Sequence, residues 1–438
     1  MTAPAVKLLL SDGDSPPGLH LPKSVQEALR ELHDGGVSER ELIDRVMANE
    51  GAAGLPLLYF ALNGLAERGL LSYEVIGDRG PLATAPVTLP LLHCDQQPFD
   101  VRGGYVFSRS ALIRREGDRM VIETAGSSVR ITIHDSRALA FIMRPDSASG
   151  LSADEMSVFG SFLRAHEILV ENGEDAGALA LWEFHNLLFH ARSRIGRHMG
   201  SVGGTYPHRG RIEPLPANKP VMSEEAFDLY KPDIERLRHQ DRPFTDVLET
   251  RRSTRAFADP PISLRQLGEF LYRACRQRGE INDSGPQQLT SRPYPGGGAV
   301  YELEIYLSVS ACDGLTPGLY HYHAGEHRLF KLRAPSGAVE DMLLDAAQSS
   351  QSNPQIVLTI AARFGRIFWK YESMGYAAIL KNVGVLYQTM YLVAEAMGLG
   401  ACGIGGGHSD LLSNAAGLDY YAESAVGEFL IGTKADAD

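Results

Sequence analysis

Cysteine is scarce in this chain of 438 residues: Cys94, Cys275, Cys312 and Cys402 stand far apart with no C-x-x-C pair. That spacing excludes a disulfide framework and a thiolate metal site. Positive charge is in deficit, with 42 Lys and Arg against 54 Asp and Glu and a net of −12, which argues against a nucleic-acid partner. Long hydrophobic runs are nearly absent. The early run from Val6 to Leu10 is broken by Lys7 and is too short for a secretory leader. Tyr376 to Gly398 has the length of a membrane span, but Lys381, Asn382, Gln388 and Glu395 inside it identify a buried helix instead. Neither G-x-S-x-G nor a P-loop occurs, which removes two hydrolase classes. These absences lead us to expect a cytoplasmic protein with no membrane contact.

Glycine, by contrast, is abundant and clustered, with 45 residues. An apolar fraction of 44% is ample for a packed core, and the length calls for more than one domain. Apolar spacing predicts a helix over Ser24 to Leu32 and a second capped by Ser38 with Glu41 three residues on. A third runs from Leu57 to Arg68, and a strand follows over Leu70 to Val75. Three helices and a strand suggest a winged-helix module over residues 1–95. From Leu21 to Arg79 it holds six basic and ten acidic residues, a balance suited to peptide or protein docking rather than DNA. A loop from Gly77 to Gly104 precedes a second module of similar type over 96–200, with strands from Tyr105 to Arg114, Arg119 to Glu123 and Val129 to His134. Residues 201–242 hold five prolines and read as a linker, so the catalytic domain, of α+β type, is expected over 243–438.

Three stretches of that domain carry chemistry. Arg251-Arg252-Ser253-Thr254-Arg255, expected near a helix start, offers guanidinium forks and hydroxyls suited to a phosphate. Ser291 to Ala299 contains Gly296-Gly297-Gly298 directly before an apolar strand, which points to close backbone approach. Gly398-Leu399-Gly400-Ala401-Cys402-Gly403 matches G-x-G-x-x-G, but a helix precedes it where a dinucleotide site needs a strand, so a helix stop and close-packed turn is expected. His321, His323 and His327, and the pair His185 and His190, lack accompanying carboxylates or thiolates, so no metal is expected.

These pieces, in this order, resemble the FMN-dependent nitroreductase fold, and within it the streptolysin-type (SagB-like) azoline dehydrogenases of peptide natural-product pathways. The likeness rests on the RRSTR run, RPYPGGGAVYELE, GLYHYH, Trp369-Lys370-Tyr371-Glu372, LKNVGVLYQTMYLVAEAMGLGACGIGG and Trp182 to His190. It implies a nitroreductase-like FMN domain at the C-terminus, preceded by two small winged-helix-like modules. It implies that Arg251, Arg252, Ser253 and Arg255 hold the FMN phosphate and ribityl chain. Pro295, Gly296, Gly297 and Gly298 would then lie against the ring, and Gly403, Ile404, Gly405 and Gly406 near its reactive edge. Gly296 stands where relatives carry a small hydroxyl residue, and Lys434 is a further phosphate candidate.

The implied activity is oxidation of thiazoline or oxazoline rings to thiazoles or oxazoles on a ribosomally made precursor peptide. Lys370 is then the candidate base, Tyr371 its proton relay and FMN the hydride acceptor. A cyclodehydratase partner and a homodimer with the Tyr376–Met397 helix at its interface are implied too, each site drawing on both chains. Two alternatives stand beside this one. The first is an NAD(P)H-dependent nitro or quinone reductase; the second is a non-catalytic peptide-binding scaffold on the same fold.

Overall fold

The computed structural model describes residues 4–10, 23–33, 35–88, 99–101, 103–145, 149–173, 176–198, 200–281 and 285–435. Cys94 and part of the loop expected between Gly77 and Gly104 lie outside them. The chain divides into two units, Met1–Gly200 and Ser201–Asp438.

The first unit runs β1 (Ala5–Leu10), α1 (Lys23–His33), α2 (Glu39–Glu50), α3 (Leu55–Glu67), β2 (Leu71–Gly77) and β3 (Gly80–Pro86). It continues through β4 (Tyr105–Phe107), β5 (Ala111–Glu116), β6 (Arg119–Thr124), β7 (Arg130–Ile133), α4 (Ser136–Met143), α5 (Ala153–Ala165), β8 (Leu169–Glu171) and α6 (Phe184–Arg192). The predicted capping box forms at Ser38 and Glu41. A strand, β3, falls inside the stretch expected as loop, because Leu82, Ala83 and Ala85 bury there while Gly80 and Pro86 mark only its ends. The expected strand Tyr105 to Arg114 is two, since Ser108, Arg109 and Ser110 turn the chain between them. Helix α5 ends at Ala165, after which β8 pairs with β4. One antiparallel sheet of order β1-β2-β3-β7-β6-β5 joins strands from both stretches expected as separate modules, through Ala83 opposite Ile133.

The second unit begins with β9 (Ala226–Asp228), α7 (Ile234–Gln240), α8 (Phe244–Thr250), α9 (Leu264–Cys275), β10 (Gly279–Ile281), β11 (Leu289–Ser291), β12 (Leu303–Val309), β13 (Gly318–His323) and β14 (Arg328–Leu332). Then come α10 (Ala338–Ser350), β15 (Ile356–Arg363), α11 (Phe364–Ile367), α12 (Gly375–Ala396), β16 (Leu399–Ile404), α13 (Ser409–Ala416) and β17 (Glu423–Thr433). Its sheet has the order β16-β17-β15-β12-β13-β14-β9, every neighbour antiparallel. β12 and β15 are buried at every residue, as strands covered on both faces must be. On one face α9 and α12 pack over Leu303, Ile305, Leu358 and Ile360; on the other α10 and α13 cover Tyr306 and Ala361. The stretch 201–242, expected as linker, supplies the edge strand β9 and the helix α7 to this unit.

Candidate active site

Helix α12 is the platform on which the predicted residues assemble. Its buried side includes Ala378, Ile379, Asn382, Val383, Leu386, Met390 and Ala394, a stripe at helical spacing that seats it on the sheet. Two polar side chains interrupt this packing, and each holds a glycine loop. Asn382 accepts a hydrogen bond from Gly297 N at 3.0 Å and donates from Nδ2 to Glu302 at 2.9 Å. The Tyr391 hydroxyl accepts from Gly403 N at 2.6 Å and lies 3.0 Å from Ser253 Oγ. Nine residues of helix, about 14 Å of rise, separate the two anchors.

The first cluster gathers Gly296–Gly298 with Lys370 and Tyr371. Gly298 has φ 61°, a left-handed conformation that suits glycine. A Cβ there would collide with the Tyr371 hydroxyl and the Lys370 ammonium, so the tips of both predicted site residues rest on its bare Cα. Lys370 Nζ donates to Gly298 O at 3.1 Å. Gly296, where a hydroxyl residue was expected, faces the Tyr301 ring at 2.9 Å from where a Cβ would stand, so that ring has displaced any side chain. Tyr301 is itself fixed by donating its hydroxyl to Tyr294 O at 2.9 Å. Beneath the loop Glu302 is buried, its Oε2 without a hydrogen-bond partner among the described residues; burial raises its pKa despite the Asn382 bond.

The second cluster gathers residues 251–255 with 403–406. Arg251 closes the C-terminal end of α8, so the RRSTR run leaves a helix instead of opening one as expected. It continues alongside β16, Thr254 N donating to Ala401 O at 2.8 Å, because backbone there is satisfied by the sheet edge. Arg251 stacks over the Tyr391 ring at 5.1 Å, while Arg252, Ser253 and Arg255 are exposed. Among the described residues Arg252 and Arg255 make no ion pair. Lys434 pairs with Glu395 at 3.3 Å. The G-x-G-x-x-G stretch is a helix stop at Gly398, φ 70°, followed by strand β16 rather than the expected turn. Beyond it Gly405 and Gly406 have open space where a Cβ would stand. They border a cavity of about 430 Å³ with Tyr376, Leu380, Gly384 and Glu428. Burial, and then the Asp345 charge, push the Glu428 carboxyl up to about 7.

The predicted site residues therefore gather in two clusters, with Pro295 exposed beside the first, and among the described residues no hydrogen bond joins the clusters directly. Sequence reasoning missed Asn382 and Tyr391, though a polar residue inside an otherwise apolar helix was the available signal. It also missed Tyr206, which packs near Lys370 from a stretch expected as linker. The histidines of β13 and its turn are wired into the core: His321 Nε2 lies 3.1 Å from Glu304, and His327 lies 2.9 Å from the Tyr322 hydroxyl and 3.0 Å from Tyr230 O. Burial opposes ionisation of Glu304, but His321 and Arg363 outweigh it and bring its pKa to about 2. Among the described residues no group of three or more His, Cys, Asp or Glu is placed to hold a metal ion. No helix among them is long and apolar enough to cross a membrane.

An antiparallel sheet sandwiched by helices, with two glycine loops fixed from one central helix, defines a nitroreductase-type domain. Residues 248–433 match the nitroreductase family, and residues 105–199 match the cyanobactin oxidase ThcOx. The MJ1384 protein of Methanocaldococcus jannaschii, assigned by its name to the nitroreductases, is 30% identical over 181 residues, 41% of this chain and 85% of that one. This chain belongs to the nitroreductase family, and is an oxidoreductase of it. It is also 25% identical to the trifolitoxin-processing protein TfxB of Rhizobium leguminosarum over 39% of this chain and 47% of that one. Identity to the microcin B17-processing protein McbC of Escherichia coli is 29%, over 25% of this chain and 42% of that one. The matches thus span somewhat under half of either processing protein. Among solved structures, the E. coli microcin synthetase McbBCD complex with truncated pro-MccB17 bound aligns at 20% identity with a TM-score of 0.36, covering 48% of this chain and 76% of that one.

Proposed function

We propose that the chain is an FMN-dependent dehydrogenase that oxidises thiazoline or oxazoline rings on a ribosomally made peptide to the aromatic azoles. The observation that carries this is the meeting of Lys370 and Tyr371 over Gly298, with Lys370 Nζ 3.1 Å from Gly298 O. Likeness to two peptide-processing proteins and to a cyanobactin oxidase supports this substrate class. Aromatising an azoline removes one proton and one hydride equivalent, so a base and a two-electron acceptor must meet at the ring.

The residues present fit FMN. The exposed Arg252 and Arg255, which make no ion pair among the described residues, and the Ser253 hydroxyl suit its phosphate and ribityl chain, and the open edge at Gly405 and Gly406 leaves room for a flat ring approached by backbone. When bound, FMN supplies the two-electron acceptor. In its neutral amine form Lys370 takes the ring proton at Nζ, while Tyr371, its hydroxyl beside Nζ over Gly298, orients and relays that proton. Asn382 holds the loop that both groups rest on. Separation of the predicted residues into two clusters supports a homodimer in which each site draws one cluster from either chain. The first unit's three helices followed by the β2–β3 hairpin, with β1 added at its edge, support a winged-helix reading of its front part and a role in binding the precursor peptide or a cyclodehydratase.

The test is Lys370→Ala. It should keep the yellow chromophore and yield no azole, read as absence of the two-hydrogen mass loss per ring on cyclodehydrated peptide; normal oxidation would remove Lys370 as base. A second reading, an NAD(P)H-dependent nitro or quinone reductase, is favoured by the match covering 85% of MJ1384. Rapid NADPH oxidation with a nitroaromatic, and none of the peptide chemistry, would select it. A protein that takes up no flavin would leave only the peptide-binding scaffold.

A further inference from the structure

Lys370 is gripped from a side that lies outside the expected catalytic domain. The strap from Gly203 to Lys219 crosses the segment that carries it. Tyr206 N donates to Lys370 O at 3.2 Å, and the Tyr206 ring centroid lies 5.9 Å from Lys370 Nζ. The Tyr371 ring centroid lies 5.5 Å from the same nitrogen, so Nζ is near two aromatic rings with Gly298 O as its hydrogen-bond acceptor. Gly204 packs on the stem: a Cβ there would stand 3.4 Å from Lys370 Cε and 3.6 Å from Cγ.

The strap is firmly fixed. Trp369 Nε1 donates to Ile212 O at 2.7 Å, Arg366 to Leu215 O at 2.7 Å, and Arg363 to Pro216 O at 3.0 Å. Lys219 closes the series on Glu423 at 2.6 Å. Tyr206 also meets the Trp369 ring edge-on at 5.6 Å. Its φ of 53° is a conformation that costs a tyrosine free energy and persists only where the surroundings impose it.

We propose that Tyr206 is a positioning residue for Lys370, its ring confining the side chain to the one rotamer that reaches Gly298 O. This rests on the reading of Lys370 as the base, but the confinement itself does not require that reading. A lysine stem has four rotatable bonds, and a base that wanders by about 1 Å loses up to about a hundredfold in rate.

The experiment compares Tyr206→Ala and Tyr206→Phe in the full chain by two readouts. The first is labelling of Lys370 by trinitrobenzenesulfonate, followed by peptide mass spectrometry. Parent and Tyr206→Phe should label slowly and alike, and Tyr206→Ala about tenfold faster. The second is azoline oxidation, where Tyr206→Ala should lose about tenfold to a hundredfold in kcat with KM within about twofold, and Tyr206→Phe should match the parent. Equal labelling in all three proteins, or Tyr206→Phe as impaired as Tyr206→Ala, overturns the proposal. Should Tyr206→Ala fail to fold, Tyr206→Leu replaces it, keeping bulk against Trp369 without an aromatic face. A parent that leaves every azoline peptide unchanged while the labelling contrast persists refutes the function and leaves the confinement standing.

Discussion

Gly296–Gly298 is enclosed by side chains, with Tyr301, Asn382, Tyr371 and Lys370 all within reach of a would-be Cβ, whereas Gly405 and Gly406 face open space. In the chain the two runs look interchangeable. In the fold one is glycine because other side chains occupy the room, and its left-handed Gly298 makes this stricter. In the other, Gly405 and Gly406 have no neighbour that excludes a side chain and no left-handed φ. Glycine required by interior packing belongs to stability and to the placement of Lys370. Glycine facing empty space is left to be explained by a ligand that approaches there.

The sharpest way to break this contrast is Gly298→Ala. The added methyl meets the far ends of Lys370 and Tyr371, which swing aside, so we expect about a hundredfold loss of azoline oxidation. A left-handed alanine also costs about 1 kcal/mol, read as a lowered Tm. Asn382→Leu should follow. It strands Gly297 N and strips buried Glu302 of its donor, at a cost of about 2–3 kcal/mol in denaturant unfolding, with protection from hydrogen exchange lost at Gly297 N.

On the open side, Glu428 packs against the loop. A Cβ on Gly407 would strike its carboxylate. Its folded pKa of about 7 lies above the ordinary glutamate value of 4.5, so the folded state holds the proton more tightly and stability falls as pH rises from about 4.5 through 7. Glu428→Gln should therefore be more stable than the parent at pH 8 by about 2 kcal/mol after allowing for partial exposure, the gap closing below pH 4.5. Smallest of all is Gly405→Ala, expected within about 0.5 kcal/mol of the parent in stability. A weakened flavin affinity in that otherwise stable variant, measured by fluorescence quenching on titration with FMN, would sharpen the contrast. A large loss of stability would erase it.

Much of this was legible in the chain. The capping box at Ser38, the apolar helix from Tyr376 and the strand that opens at Arg119 are all local signals, set by periodicity and turn chemistry over a few residues. Lys370, Tyr371 and the two glycine runs could be named because motifs sit in contiguous segments. Less legible were features that depend on partners far away in sequence. Arg251 to Arg255 read as a helix start because charge and hydroxyls resemble one, yet β16, some 150 residues on, claims the backbone of Thr254. The prolines of 201–242 gave a linker reading, although Lys219 in that stretch is held by Glu423 and Tyr306.

By itself, then, the sequence determined many of the elements, the family resemblance and the residues proposed for the chemistry, since each is written within a short window. Only the tertiary structure decided how those groups are held. Asn382 and Tyr391 act on loops 85 and 12 residues away, and Tyr206 reaches Lys370 across more than 160. Such pairings depend on which backbone donor or bare Cα the packing of α12 and the strap brings within hydrogen-bond range, and no local pattern encodes that distance.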